Sequence, residues 1–343
     1  MVGRCVLYVE SDASCDAIFG TRNCRGTAMP TALQQRLLHL SAAGAGNPHD
    51  VADLVATDWA TLLVLARRHR LGPLLHWRLG ADAVAAGVPK PFAEAVAANF
   101  EKHSRRAVEL QAEVSRIQRI MRENEIPAVF LRGAFLAFHV YPRAGLRPMR
   151  DLDVLVPEEQ AADAAHALRT SILRRPGRPA EQPVLRIDVD LRTRLTEQSR
   201  RNTDPAFDAG TWNRLISRIV AEEEIWYLAP EDQLLHLILH ALHDDPSNCH
   251  PIVLTDIAQL LEQCGINWVQ FWQQALAVNW VGGCWLLLNL ARHFYPAMSF
   301  QPPEDVELAP LPSDLGAVAA MLTLGEAKER LEISRQVSQG GLP

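Results

Sequence analysis

The sequence predicts an α+β fold, in which a small mixed β-sheet core is flanked by an N-terminal and a C-terminal helical region. Three observations carry this expectation. From about Thr31 to Asn124 apolar residues recur three and four apart, the period of an amphipathic helix. Around 128–131, 152–156 and 184–195 short apolar or alternating runs replace that pattern, as strands require. Beyond Pro230 the helical period returns. A chain of 343 residues has room for such a three-part arrangement and a sizeable core.

Taken in order, residues 1–28 form an irregular leader with scattered Cys, Gly, Ser and Asp and no period. Met29 offers a later start, so the leader takes no part in the fold argument. Residues 29–124 are the N-terminal helical region, closed by a long amphipathic helix that ends at Asn124, before Pro127. Residues 125–228 are the core. It opens with the apolar run Ala128–Leu131, turns at Gly133, and continues as a helix from Ala134 to Val140, stopped near Pro142. A second strand covers Leu152–Val156, a helix 158–170, and a third strand Val184–Leu195. In that third strand Ile187, Val189 and Leu191 face one way, and Asp188, Asp190 and Arg192 the other. A short strand Ile225–Leu228 precedes Pro230. Residues 229–343 are the C-terminal helical region, with a Pro-rich tail and a weaker helix near 313–333.

Composition narrows the class. Hydrophobic residues at 48% and charged residues at 22% describe a globular chain, neither disordered nor fibrous. No apolar run reaches the roughly 20 residues that span a bilayer, and the acidic N-terminus is no signal peptide, so a cytoplasmic location without a membrane partner is expected. The net charge of −6 is a poor match for a nucleic-acid surface. Only Lys90, Lys102 and Lys328 are lysines, so phosphate contacts would be guanidinium contacts. Cys5, Cys15, Cys24, Cys249, Cys264 and Cys284 form no CxxC pair and indicate neither a zinc knuckle nor a disulfide framework.

The chemistry concentrates in residues 131–157, LRGAFLAFHVYPRAGLRPMRDLDVLVP. A strand runs into a Gly turn and a helix, a ready phosphate cradle, and the next strand opens with Asp151-Leu152-Asp153. Residues two apart share a strand face, so these carboxylates stand together and repel unless cations lie between them. Mg²⁺ suits such a pair. Asp188 and Asp190 are both candidates for a third carboxylate.

These motifs resemble the uncharacterised nucleotidyltransferase family of the DNA polymerase beta superfamily. Leu131-Arg132-Gly133-Ala134, Tyr141-Pro142, Leu146-Arg147-Pro148-Met149 and Asp151-Leu152-Asp153 occupy the places of its Leu-Lys-Gly-Ala, Tyr-Pro, Leu-Arg-Pro-Met and Asp-x-Asp motifs. Asp190–Leu195, Ala229–His240 and Asp256-Ile257 resemble its later landmarks, so that the likeness spans roughly residues 30–290. The resemblance implies transfer of a nucleoside monophosphate from an NTP to a small molecule, a peptide or a protein. On it, Asp151, Asp153 and Asp190 hold Mg²⁺ or Mn²⁺ and carry catalysis. Arg132, Gly133, Ala134, Arg147, Arg192 and His240 are the implied nucleotide-binding residues. Arg132 stands in place of the family's Lys and Arg192 in place of its His, which leaves acceptor activation open. The alternative is a non-catalytic or regulatory nucleotide-binding module of the same fold, in a toxin–antitoxin pair or a biosynthetic cluster. An RNA-modifying transferase is a third reading, opposed by the net charge.

Other residues admit plainer explanations. His236, His240 and His243 share a helical stripe that could ligate zinc or be partly buried. Arg143, Arg147 and Arg150 could neutralise a triphosphate or pair on the surface. The Arg-rich stretch 169–201 reads as a solvated face, and Trp268, Trp272 and Trp285 as core.

Overall fold

The computed structural model describes residues 31–42, 51, 53–173, 187–195, 210–244, 249–303, 306, 308–326, 330, 331 and 335. The leader, the loop 174–186, the segment 196–209 and most of the tail beyond 326 lie outside them. The fold is the expected α+β one, a five-stranded mixed sheet within a helical body.

Four helices precede the sheet: α1 (Thr31–Ser41), α2 (Ala56–Arg68), α3 (Gly72–Leu79) and α4 (Lys90–Glu123). In α4 the buried Phe92, Val96, Phe100, Ala107, Leu110, Val114, Ile117 and Met121 form a continuous stripe, the spacing that faces a helix onto a core. Helices α2 and α4 end in the same way. Leu71 N donates to Ala66 O and Arg70 N to Arg67 O, while Ile126 N donates to Met121 O and Glu125 N to Arg122 O. This double closure is a Schellman motif, whose left-handed residue is usually glycine. Here Arg70 (φ +60°) and Glu125 (φ +56°) occupy that position, at a cost of roughly 1–2 kcal/mol each.

The sheet runs β3-β2-β1-β5-β4, with β1 Val129–Phe130, β2 Asp151–Leu155, β3 Asp188–Arg192, β4 Ile216–Val220 and β5 Glu223–Tyr227. Strand β1 lies antiparallel to β2 and parallel to β5, and β2 is parallel to β3. The expected strands are present: β1 and β3 are shorter than expected, and β2 has the expected length one residue earlier; residues 184–186 lie outside the description. The strand expected at Ile225–Leu228 starts two residues earlier and is the second arm of a hairpin with β4. Its first arm, ISRIV, is half exposed and lacks the apolar alternation that would mark it as a strand. Ala221 and Glu222 make the turn, both at positive φ. The hairpin is tied to α4 by Ser115 Oγ donating to Val220 O at 2.9 Å and by Arg119 and Arg122 on Glu223.

Between β1 and β2 the helix expected at Ala134–Val140 splits into α5 (Gly133–Phe135) and one π turn (Leu136–Val140). After β2, α6 (Ala161–Leu173) packs on α4 and β3. The C-terminal region comprises α7 (Pro230–Leu239), α8 (Ile252–Gln263), α9 (Trp268–Ala277), α10 (Val281–Phe294) and α11 (Leu315–Leu324). Helix α11 packs back on α1, with Gln34 Nε2 donating to Leu324 O at 3.2 Å. Helices from both ends of the described chain thus meet. Trp272 is buried, and Trp268 packs partly buried against the core. Cys249, Cys264 and Cys284 are free thiols. Among the described residues no helix is long and apolar enough to cross a membrane.

Candidate functional site

The site forms where β1 ends and β2 begins. Leu131 N donates to Asp153 O at 3.0 Å, which carries the chain past β2 before it turns at Arg132. Arg132 has φ +44° and ψ −101°, a strained conformation for a residue with a Cβ. Gly133 follows, and a Cβ there would come 2.9 Å from Met149 Sδ and 3.8 Å from Arg147 Nη1. A side chain there would force Met149 to shift where the Leu-Arg-Pro-Met loop closes over this turn. Ala134 is buried beneath it.

Strands β2 and β3 run in parallel register, Asp151 beside Asp188 and Asp153 beside Asp190. Four carboxylates therefore stand on one face, while Leu152, Val154, Val189 and Leu191 face the other way. Charges so close together need compensation, and two guanidinium groups supply it. Arg132 Nη2 lies 2.6 Å from Asp153 Oδ2. Arg192 Nε donates to Asp153 Oδ1 at 2.9 Å, and its Nη2 donates to Asp190 Oδ2 at 2.9 Å. Asp153 is thus held on both oxygens. Burial would raise its carboxyl, but Arg132 and Arg192 outweigh burial and hold it at about 2. Asp151 is more exposed, and burial followed by the Asp153 charge raises its carboxyl above the ordinary value. Asp188 is exposed at the strand start.

Helix α7 places His236 and His240 over this centre. His236 is fully buried and neither of its ring nitrogens has a hydrogen-bond partner; His240 Nδ1 is likewise buried without one. Burial, then the Arg132 charge, pushes His240 down to about 3 and His236 well below its ordinary value. Both rings are neutral at pH 7. The side chain of His243 is outside the described residues, as is most of the Arg-rich stretch 169–201.

Arg147 takes a different place. Its Nε and Nη2 meet Asp256 Oδ1 and Oδ2 at 2.9 and 2.8 Å, and Tyr141 Oη donates to Asp256 Oδ1 at 2.7 Å. The triad is buried and pins α8 to the loop before β2. The structure therefore brings Arg132, Gly133, Ala134, Asp151, Asp153, Asp190, Arg192 and His240 together, while Arg147 is engaged by Asp256 and lies within electrostatic range of Asp151 and His240.

Among the described residues no three His, Cys, Asp or Glu side chains converge closely enough to cage a metal ion. The donor chemistry nevertheless fits a hard cation, since the face offers carboxylate oxygens alone. Arg192 occupies the space between Asp153 and Asp190 that a shared ion would take.

A second cationic group adjoins Asp151. Arg70, Arg147 and Arg150 lie within electrostatic range of one another; burial and then Arg150 and Arg147 lower the Arg70 guanidinium to about 10. His103 and His250, both held at about 4 by burial and then by neighbouring cations, border the group. Arg70 comes from the N-terminal helical region, outside the candidate site residues the sequence indicates. Its signal, an arginine at a helix end that favours glycine, is legible only when the end of α2 is known.

With this geometry established, the family assignment follows from the sequence profile of the uncharacterised nucleotidyltransferases, which matches residues 56–296. The chain belongs to that family. The match takes in α2 to α10, and hence every residue of both clusters named above. No curated protein and no solved structure gives a match.

Proposed function

We propose that this nucleotidyltransferase moves a nucleoside monophosphate from an NTP to a small-molecule, peptide or protein acceptor. The observation that carries the reading is the parallel pairing of Asp153 with Asp190 beside Asp151, at the foot of a Gly133 turn and within the family's profile. Asp151, Asp153 and Asp190 would hold Mg²⁺ or Mn²⁺, which would neutralise charge on the phosphates during in-line displacement. Arg132 and the Gly133-Ala134 turn bind the triphosphate. The acceptor oxygen forms a bond to the α-phosphorus as the α–β P–O bond breaks and pyrophosphate leaves with the electron pair. Asp190 takes the acceptor's proton on Oδ1, since Oδ2 is engaged by Arg192. Arg192 cannot take it, because a guanidinium stays protonated near neutral pH. His240, neutral and beside Arg132, orients the phosphates by hydrogen bonding.

A second reading rests on the bridge from Arg192 to Asp153 and Asp190. A site whose carboxylates keep their guanidinium partners would bind nucleotide and transfer nothing. The deciding experiment supplies α-labelled NTPs with Mg²⁺ or Mn²⁺ to cell extract, comparing wild type with Asp153→Asn. Label transferred to an acceptor with pyrophosphate release, lost in Asp153→Asn, is the expected result. Equal labelling by both proteins would sink the transferase reading.

A further inference from the structure

Arg143 is exposed in the loop that leads to Arg147, and no carboxylate among the described residues pairs with it. Its guanidinium carbon lies instead 5.0 Å over the centre of the Trp77 ring. Trp77 stands on α3 and keeps 37% of its surface exposed. Beside it, His76 stacks on Phe100 of α4, the ring centres 5.1 Å apart and the planes 30° from parallel. With Gly80 and Ala81, these four side chains line a cavity of about 290 Å³. Its walls are held firmly. A Cβ on Gly72 would collide with Asn99, and one on Gly145 would come 2.8 Å from Ser104 Cα. Helix α3 and the loop therefore both press on α4 within about a turn of Phe100. A Cβ on Gly80 would meet nothing within 4 Å, so that side of the cavity is open.

Aromatic faces hold flat rings, and a guanidinium laid over an indole keeps its N–H edge free for an anion. The volume lies at the lower end of ligand pockets, about 300–1,000 Å³, which is room for one ring system but not for a whole nucleotide. The cation borders the ring space directly, so the anionic group is attached to the ring itself. In a nucleotide a ribose separates the base from the phosphates. We propose that Trp77, His76, Phe100 and Arg143 form a seat for an aromatic carboxylate, the recognition group of the acceptor. The loop that carries Arg143 runs on to Met149 at the Gly133 turn, so the cavity and the triphosphate turn share one loop. The acceptor role rests on the nucleotidyl-transfer reading above; the binding itself does not.

The probes are 2-naphthoate and its neutral amide, titrated by calorimetry against the full chain. Arg143→Gln removes the cation, and Ala81→Trp, at an exposed position, fills the cavity without touching the core. Arg67→Gln, exposed on α2, is the control for loss of surface charge. Wild type should bind naphthoate saturably and the amide about tenfold more weakly. Arg143→Gln and Ala81→Trp should each weaken naphthoate about tenfold or more, Arg67→Gln should leave it unchanged, and saturating ATP should not displace it. Absence of saturable binding, or Arg143→Gln and Ala81→Trp proteins that titrate like wild type, overturns the proposal. Displacement by ATP overturns it too, because the cavity would then belong to the base of the nucleotide. A protein that transfers no label yet binds naphthoate through Arg143 would keep the seat and discard the transferase reading.

Discussion

Two arginine–carboxylate clusters lie within the span matched by the family profile and differ in how their charges are matched. In the first, Arg147, Asp256 and Tyr141 close on one another and both carboxylate oxygens are satisfied in a dry interior. In the second, Arg132 and Arg192 share Asp153, and Asp190 keeps one oxygen open to solvent. The closed cluster has no spare valence and holds two regions of the chain together. The open one has exchangeable partners, which a binding site needs. Buried ion pairs are poor evidence of net stability, yet removing one partner from them is costly, so the two clusters separate by which property fails.

The largest expected effect is on activity. Asp153→Asn should lower transfer about a thousandfold, the scale of losing a preorganised electrostatic contact. Its stability should fall less, because Arg192 retains Asp190. Asp256→Asn should do the reverse: about 3–5 kcal/mol of stability lost in urea unfolding, with transfer per folded molecule preserved. If Asp256→Asn instead abolishes transfer at full stability, Arg147 belongs to the active site and the contrast collapses.

Next comes the register of β3. Asp190→Asn should cost about a hundredfold in transfer and leave NTP binding largely intact, whereas Asp188→Asn, at the exposed strand start, should stay within about twofold. A dead Asp188→Asn with an active Asp190→Asn would shift the site one pleat along the sheet.

The pH dependence is smaller and splits the open cluster into two windows. His236 and His240 sit below their ordinary value in the folded chain, so on acidification the unfolded chain takes up their protons first. Stability should fall from about pH 6.5 downward, by roughly 1.4 kcal/mol per pH unit for each ring. Asp153 acts in another window: its contribution is complete above about pH 4 and is lost as pH falls towards 2. A His236→Gln, His240→Gln double variant should reduce the slope in the upper window without flattening it, since His69, His103, His139 and His250 are lowered as well, and should leave the Asp153 window in place.

The smallest effect tests the competition at Arg192. Arg192→Ala should tighten Mg²⁺ or Mn²⁺ binding in the absence of NTP by a few-fold, read by metal titration, since it frees oxygens on Asp153 and Asp190. Arg192→His should be tolerated in transfer. Unchanged metal affinity in Arg192→Ala would remove the competition between guanidinium and metal.

By itself the sequence determined the order of the elements and the residues of the acidic face. A change of period is a local property, so α4, β2 and β3 were readable, as was the common side of Asp151 and Asp153, and of Asp188 and Asp190, from strand alternation alone. The likeness of Leu131–Val156 and of Asp190–Leu195 to the family's motifs placed Arg132, Gly133 and Arg192 near those carboxylates. Tertiary structure decided the rest, because partners distant in sequence set it. Strand β4 is held by α4 and β5 and has no apolar alternation of its own. The family motif singles out Arg147 over Arg150, but Asp256, 109 residues beyond Arg147, is what neutralises it. Charge balance at a site is a sum over neighbours in space, and a linear sequence does not say which charges become neighbours.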